Sequence, residues 1–359
     1  GWWKEAGNTR LAVFPTASAS LLYTYDAEDD THRVDFDLNL GALDEGKLIK
    51  LDESELYDVL IVGTGPAAVA SAVYAVRKGL KTAMIGTKIG GQVLDTNEIE
   101  NVIGLPKTTG SEFAKKLETH AKEYGIALKE GNYVREIKED GKNKIVTTDD
   151  GKSYSTKTII IATGAKWREL NVPGEQNYKG KGVHYCATCD GPFYRNLDVA
   201  IIGGGNSGVE ASLDMAGIAK SVTLVEFMPE LKADKILQEK LAERDNISVI
   251  TNAQVTEVYG EAFTTGLKYK ERATEEMKDL KIDGMFVEIG LVPNTEFVKG
   301  YVETTKFGEI IINDVNSTNV KGIFAAGDVT TVKYKQIIIA MGEGAKAALG
   351  AFDYLIKEY

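Results

Sequence analysis

The chain has 359 residues, with 53 Asp and Glu against 42 Lys and Arg and a formal net charge of −11. That sign argues against nucleic acid and anionic membrane as partners. The length calls for two or three domains, and no apolar run reaches the roughly 20 residues of a membrane-spanning helix.

The start, Gly1-Trp2-Trp3-Lys4-Glu5, has no signal-peptide apolar region and, lacking Met, reads as a trimmed terminus. Residues 1–55 hold twelve acids against five Lys or Arg, so this piece carries −7 of the net charge. Leu22 to Tyr25 reads as a strand, followed by an acidic loop from Asp26 to Arg33. Val34 to Leu40 alternates apolar and polar, the period of a half-buried strand, and Leu48-Ile49-Lys50-Leu51 is a third candidate. The expectation is a small β-meander appended to the main body, a covering flap rather than a partner-docking module.

The texture changes at Tyr57. Asp58 to Val62 is a short buried strand that runs into Gly63-Thr64-Gly65-Pro66-Ala67-Ala68 and a helix. Strand, glycine turn and helix N-terminus form a cradle for a pyrophosphate, because the backbone approaches closely and the helix end stabilises negative charge. One such match is weak evidence. The acid expected about 20 residues later, to hold a ribose, is missing: the next strand ends Gly86-Thr87-Lys88. Thr158 to Gly164 is a further buried strand with a small-residue turn, Ala162-Thr163-Gly164.

Between the first cradle and a second one lies Tyr185-Cys186-Ala187-Thr188-Cys189-Asp190, with the only two cysteines. Two-residue spacing lets a disulfide close and reopen, and favours the thiolate that attacks another disulfide. Zinc is the alternative, but no second cysteine pair exists and His32, His120 and His184 are scattered. We therefore expect no metal. Two cysteines in so long a chain fit a reducing, cytoplasmic setting. His184 has two readings, a group tuning Cys186 or a strand residue facing solvent, and the second is preferred.

The second cradle is cleaner. Asp198 to Ile202 leads into Gly203-Gly204-Gly205-Asn206-Ser207-Gly208, and the following strand ends on Glu226, where a carboxylate binds both hydroxyls of an adenosine ribose. Two cradles call for two nucleotides, one a flavin and one a nicotinamide. Near the end, Gly322 to Asp328 is another apolar strand, with Asp328 placed to meet a ribityl hydroxyl.

Together these blocks resemble the low-molecular-weight thioredoxin reductases, and still more the flavoprotein component of alkyl hydroperoxide reductase. The closer likeness rests on Gly90 to Thr96, Val225 to Glu230 and Tyr334 to Ala340. It runs from about residue 56 to the end. It implies an α/β fold of two Rossmann-like, three-layer domains: an FAD domain from 56–166 and 290–359, and a nicotinamide domain, 167–289, inserted between its halves.

Residue by residue, the resemblance puts Gly63, Gly65, Pro66, Ala67 and Ala68 on the FAD diphosphate. It puts Gly91, Gln92, Asn101, Ala162, Thr163, Gly164, Gly327, Asp328, Lys335, Gln336 and Ile337 around the rest of the flavin. Gly203, Gly205, Asn206, Ser207, Gly208 and Glu226 would bind the nicotinamide nucleotide. Cys189, beside Asp190, matches the thiol facing the flavin; Cys186 matches the thiol that attacks the partner, with Asp190 moving the proton.

The implied activity is an FAD-dependent disulfide reductase passing electrons to a small thioredoxin- or glutaredoxin-like protein, upstream of a peroxiredoxin. Because the peroxide-reducing relatives carry an N-terminal thioredoxin-fold relay with its own cysteines, that relay is expected here on a separate protein. A homodimer is implied, as is rotation of the inserted domain. Glu226-Phe227-Met228 stands where NADPH-dependent members carry arginines, with Lys232 a few residues on, so NADH is the expected donor. The rivals are an NADPH-dependent general thioredoxin reductase, a flavin redox sensor without turnover, and an NADH oxidase.

Overall fold

A computed structural model describes residues 2–6, 9–15, 20–26, 31–35, 49–96 and 98–359. At the N-terminus β1 (Trp2–Ala6), β2 (Thr9–Pro15), β3 (Ser20–Asp26) and β4 (Thr31–Asp35) form an antiparallel meander in sequential order. The strand expected over Leu22 to Tyr25 lies within β3. Of the one expected over Val34 to Leu40 only Val34 and Asp35 belong to β4, and positions 36–40 lie outside the described residues.

The third expected strand is a correction, because it does not join the meander. Ile49 forms a parallel bridge with Ala127, and its carbonyl accepts the Leu128 N–H at 2.8 Å. Leu51 packs on the apolar cluster beneath the main sheet. An open sheet edge offers unpaired backbone groups, and one ladder hydrogen bond with one half-buried leucine holds the stretch there. Removing residues 1–47 should therefore leave flavin content and melting temperature unchanged. Removing 1–55 should cost about 2–3 kcal/mol, the worth of one ladder hydrogen bond plus one half-buried leucine. Thermal melts of both truncations check this, and equal losses from the two would overturn it.

The larger sheet has seven strands. β5 (Leu56–Val62), β6 (Thr82–Gly86) and β7 (Ala127–Glu130) are parallel neighbours, and β10 (Ser153–Ile161) flanks β5 on its other side. Beyond β10 the hairpin of β8 (Val134–Asp140) and β9 (Asn143–Thr148) continues antiparallel. β21 (Ile323–Ala325), from far along the chain, pairs parallel with β10. Residues 59–62 of β5 and 159–161 of β10 are covered on both faces, which is why those stretches read as unbroken apolar runs. On one face lie α1 (Pro66–Arg77), α2 (Gly110–Glu123) and α6 (Ile337–Glu358). The small residues of α1 let α6 come close: a side chain at Gly344 would meet the Ala67 carbonyl at 2.1 Å, and Ser71 Oγ donates to the Gly344 carbonyl at 3.0 Å.

A second sheet is wholly parallel, in the order β12 (Val183–His184), β19 (Gly284–Val287), β13 (Asp198–Ile202), β14 (Ser221–Val225), β15 (Ile247–Ile250). α3 (Ala187–Asp190), α4 (Asn206–Ala216) and α5 (Lys235–Ala242) accompany it. An antiparallel trio, β16 (Ala253–Gly260), β17 (Thr264–Glu271) and β18 (Met277–Lys281), lies between β15 and β19 in the chain. The chain passes between the two large sheets twice, through β11 (Ala165–Trp167) and β20 (Leu291–Pro293), which pair with each other.

Candidate active site

Cys186 and Cys189 are joined as a disulfide across the first turn of α3, with Cα atoms 5.3 Å apart. Cys186 sits at the N-cap, and its carbonyl accepts the N–H groups of Cys189 at 3.2 Å and Asp190 at 3.0 Å. The two-residue spacing thus becomes one helical turn that brings both sulfurs to the same end. On the flavin side, Gln336 caps α6 and points its Nε2 at Cys186 Sγ, 3.9 Å away, while its Oε1 accepts from Asn101 Nδ2 at 3.2 Å. Of the residues expected at the flavin, Gln336 is thus linked directly to the cysteine pair and Asn101 through it.

The first cradle has the expected form. Gly63 has φ of +127°, and a Cβ there would lie 2.2 Å from the Ala162 carbonyl, so only glycine fits. Gly65 is the N-cap of α1 and Pro66 opens it. The first-turn N–H groups of Ala67 and Ala68 have no acceptor within the helix, which leaves them for a ligand's phosphate. A side chain at Gly91 would meet Gly65 Cα across the cradle at 3.4 Å. Gln92 lies against Trp167 and the Ala165 carbonyl, and its amide satisfies both when the nitrogen faces the carbonyl.

Asp328 follows Gly327 at the end of β21 and has no hydrogen-bond or ion-pair partner among the described residues. Burial holds its carboxyl above the usual range, against the opposing pull of Lys335. A shielded carboxylate left without protein donors fits hydroxyl groups from a ribityl chain. Lys335 itself is bound to the Thr330 carbonyl and to Glu309, and Ile337 is the first residue of α6. Thr163 and Gly164 serve the crossing point: Thr163 Oγ1 donates to the Asn294 carbonyl at 2.8 Å, and the Gly164 carbonyl accepts the Asn294 N–H at 3.0 Å. The Thr163 side chain thus clamps the connection between the two large sheets.

In the second cradle a side chain at Gly208 would strike the Gly203 carbonyl at 1.7 Å, whereas the space around Gly205 is open. Asn206 is tied to Asp234 by two hydrogen bonds of 2.9 and 2.8 Å, so what it and Ser207 can offer a phosphate is backbone at the start of α4. Glu226 stands one position past the end of β14. Its carboxylate accepts the Met228 N–H at 2.7 Å and the Gly204 N–H, which pins it beside the cradle.

Three residues at the site have no signature that the sequence reading used. Arg272 donates to the Phe227 carbonyl at 2.8 Å and lies 3.9 Å over the Phe227 ring, next to Glu226. It reaches there from the end of β17, and no local pattern announces it. Tyr194 closes over His184 (ring centroids 5.3 Å apart). Glu288 follows β19 directly, and its Oε1 accepts the N–H of Ala187, between the cysteines, at 3.3 Å. An acid at the end of an apolar strand is its available signal, the one that marks Glu226. His184 is a correction: it does not face solvent, with its side chain only 11% exposed and bound to Asp190.

Burial pushes the Glu288 carboxyl up to about 7, the Ala187 N–H opposes this, and Asp214 adds to it. The native state therefore keeps a proton that the unfolded chain loses above its ordinary 4.5. Stability should fall as pH rises from about 4.5 to about 7 and level off beyond. Glu288→Gln, which cannot ionise and still accepts from Ala187, should be more stable than wild type at pH 8 by on the order of 3 kcal/mol, with no gain below pH 4.5. Melts at both pH values check it, and a gain independent of pH would overturn it.

Residues 57–344 match the family model described as pyridine nucleotide-disulphide oxidoreductase. The chain belongs to that family. Membership implies a flavin and a pyridine nucleotide, in agreement with the two cradles. The F component of alkyl hydroperoxide reductase from Escherichia coli (strain K12) is 51% identical over 313 residues, 86% of this chain and 60% of that protein. The chain thus spans about three fifths of the length of this curated relative. The thioredoxin reductase from Streptococcus pyogenes MGAS5005 superimposes with a TM-score of 0.80 at 38% identity, over 84% of this chain and 99% of that one. The Lactococcus lactis thioredoxin reductase, solved in what is described as the FR conformation, has 37% identity and the same coverage but a TM-score of 0.58. Among the described residues of this oxidoreductase, no helix is long and apolar enough to cross a membrane.

Proposed function

We propose that this chain is an NADH-dependent FAD disulfide reductase that passes electrons through Cys186–Cys189 to a small thioredoxin- or glutaredoxin-like protein feeding a peroxiredoxin. It works as a cytoplasmic homodimer, with an FAD domain from 56–166 and 290–359 and a nicotinamide domain at 167–289. The observation that carries the reading is the disulfide held against Gln336, at the junction of two nucleotide cradles. The alkyl hydroperoxide reductase relatives favour the peroxide pathway, and the thioredoxin reductases favour the disulfide step.

The chemistry that FAD supplies when bound is transfer of two electrons from a hydride donor to a neighbouring disulfide. The protein's part begins with Gly63, Gly65 and the start of α1 holding the diphosphate, while Asp328 receives ribityl hydroxyls. Gln336 keeps the cysteine loop in place. Reduction of Cys186–Cys189 consumes two electrons and two protons and leaves a dithiol. Asp190 takes the proton of the attacking thiol; Cys186 then forms a mixed disulfide with the partner, and Cys189 resolves it. The partner leaves with both electrons as its own dithiol, and the Cys186–Cys189 bond closes again. Nearly equal identities with unequal TM-scores to two reductases support a turn of one large sheet against the other about β11 and β20. Such a turn would carry the dithiol from the flavin to the partner.

The test is steady-state reduction of a thioredoxin-like protein, or of an aromatic disulfide, by the FAD-loaded protein and NADH. Bleaching of the flavin without disulfide turnover would favour the redox sensor. Oxygen consumption that survives loss of both cysteines would favour the oxidase.

A further inference from the structure

His184 lies on β12, two residues before the cysteine pair, and joins Asp190 to Tyr194. Its Nδ1 is 3.1 Å from Asp190 Oδ2, and its Nε2 is 2.7 Å from the Tyr194 hydroxyl. Phe286, 5.5 Å away by ring centroids, backs the imidazole, and Tyr194 meets both rings edge-on. Burial, reinforced by Asp190 and Asp283, pushes the Tyr194 phenol up, so the phenol keeps its proton. A phenol hydroxyl can give or take a hydrogen bond, whereas the Asp190 carboxylate can only accept one. Nδ1 therefore carries a proton and donates it to Asp190, while Nε2 meets the Tyr194 hydroxyl. Both ring nitrogens of His184 thus have partners, and the Asp190 carboxylate is held at one end by a directed donor.

We propose that His184 is a positioning residue for the disulfide exchange: its Nδ1–H, oriented by Tyr194, fixes the Asp190 carboxylate as the base that takes the thiol proton of Cys186. The thiolate so formed attacks one sulfur of the acceptor, the acceptor's S–S bond breaks, and the departing thiolate takes up the proton. This rests on the disulfide-reductase reading, so the test includes a measurement that needs no turnover.

His184→Leu keeps apolar contact with Phe286 and removes both hydrogen bonds, whereas His184→Asn can place an amide N–H where Nδ1–H was. In the Leu variant, kcat with an aromatic disulfide should fall about tenfold, the fold-change that one charge-assisted hydrogen bond is worth, with KM within about twofold. The Asn variant should recover to within about threefold of wild type. In parallel, protein reduced chemically with dithiothreitol and freed of reductant is alkylated with iodoacetamide, and the rate at Cys186 should follow the same order. Wild-type rates in the Leu variant would overturn the inference. So would equal losses in Leu and Asn that follow flavin release or a lowered melting temperature, since that pattern marks a merely structural role. A wild-type enzyme that turns over no disulfide, while its alkylation rates keep the predicted order, would leave the positioning role standing and remove the reductase reading.

Discussion

Replacing either cysteine by serine should lower disulfide reduction on the order of a thousandfold or more, because each sulfur is a reacting atom rather than a contact. NADH-driven bleaching of the flavin should persist in both variants, since neither cradle contains a cysteine. The two variants should differ in their spectra. Cys186→Ser leaves the thiol assigned to the flavin, and a thiolate there gives a long-wavelength charge-transfer band; Cys189→Ser leaves the thiol assigned to the partner and should lack the band. The structure adds a constraint, because the sulfur in contact with Gln336 is that of Cys186. A band seen only in Cys189→Ser would reverse the assignment and make Gln336 a guide for the thiol that faces the flavin. The same Cys189→Ser variant should retain its acceptor as a mixed disulfide on Cys186, releasable by dithiothreitol.

NADH should exceed NADPH in kcat/KM by on the order of a hundredfold. Backbone N–H groups of Gly204 and Met228 pin the Glu226 carboxylate, so it cannot swing away from a dianionic 2′-phosphate. With NADH the same carboxylate accepts hydrogen bonds from the free ribose hydroxyls. Lys232 is exposed, and a flexible ammonium is a poor substitute for a bidentate guanidinium. Arg272, which no sequence pattern announces, works against the preference. One of its N–H groups is engaged by the Phe227 carbonyl and its face by the ring, which holds a positive charge on the residue that follows Glu226. Arg272→Ala should therefore widen the gap by weakening NADPH. Glu226→Ala should narrow it, mainly by weakening NADH. Because Ala also releases two backbone donors, Glu226→Gln is the cleaner variant: it removes the charge and keeps an acceptor. Equal use of both nucleotides by wild type would sink the assignment and favour a general thioredoxin reductase.

Both cradles are legible as strand, glycine turn and helix because short-range sterics dictate them. Gly208 is a glycine since the carbonyl of nearby Gly203 occupies the space a side chain would need, and Gly63 takes a φ of +127° that other residues avoid. The cysteine turn is legible for the same reason, as is Glu226, one position past an apolar strand. The surroundings of His184 are not, because a lone polar residue on a short strand carries no periodic signal of where it points. Its partners, Asp190 and Tyr194, come from the helical turns that follow, and their return onto β12 is set by packing against Phe286. The place of Ile49 is hidden for a related reason: a four-residue stretch with three apolar side chains fits any open sheet edge, and the edge it takes belongs to β7.

Spacing and residue type are therefore enough for the nucleotide cradles, the redox pair and the acid beside it, because each answers to atoms only a few bonds away. The link from Asn101 through Gln336 to Cys186, the guanidinium over Phe227 and the imidazole on Asp190 join segments 10 to 235 positions apart, or 6 within one loop. Nothing local selects such pairs. They arise where packing brings distant segments together, and the buried polar groups among them take whatever partner lies within reach.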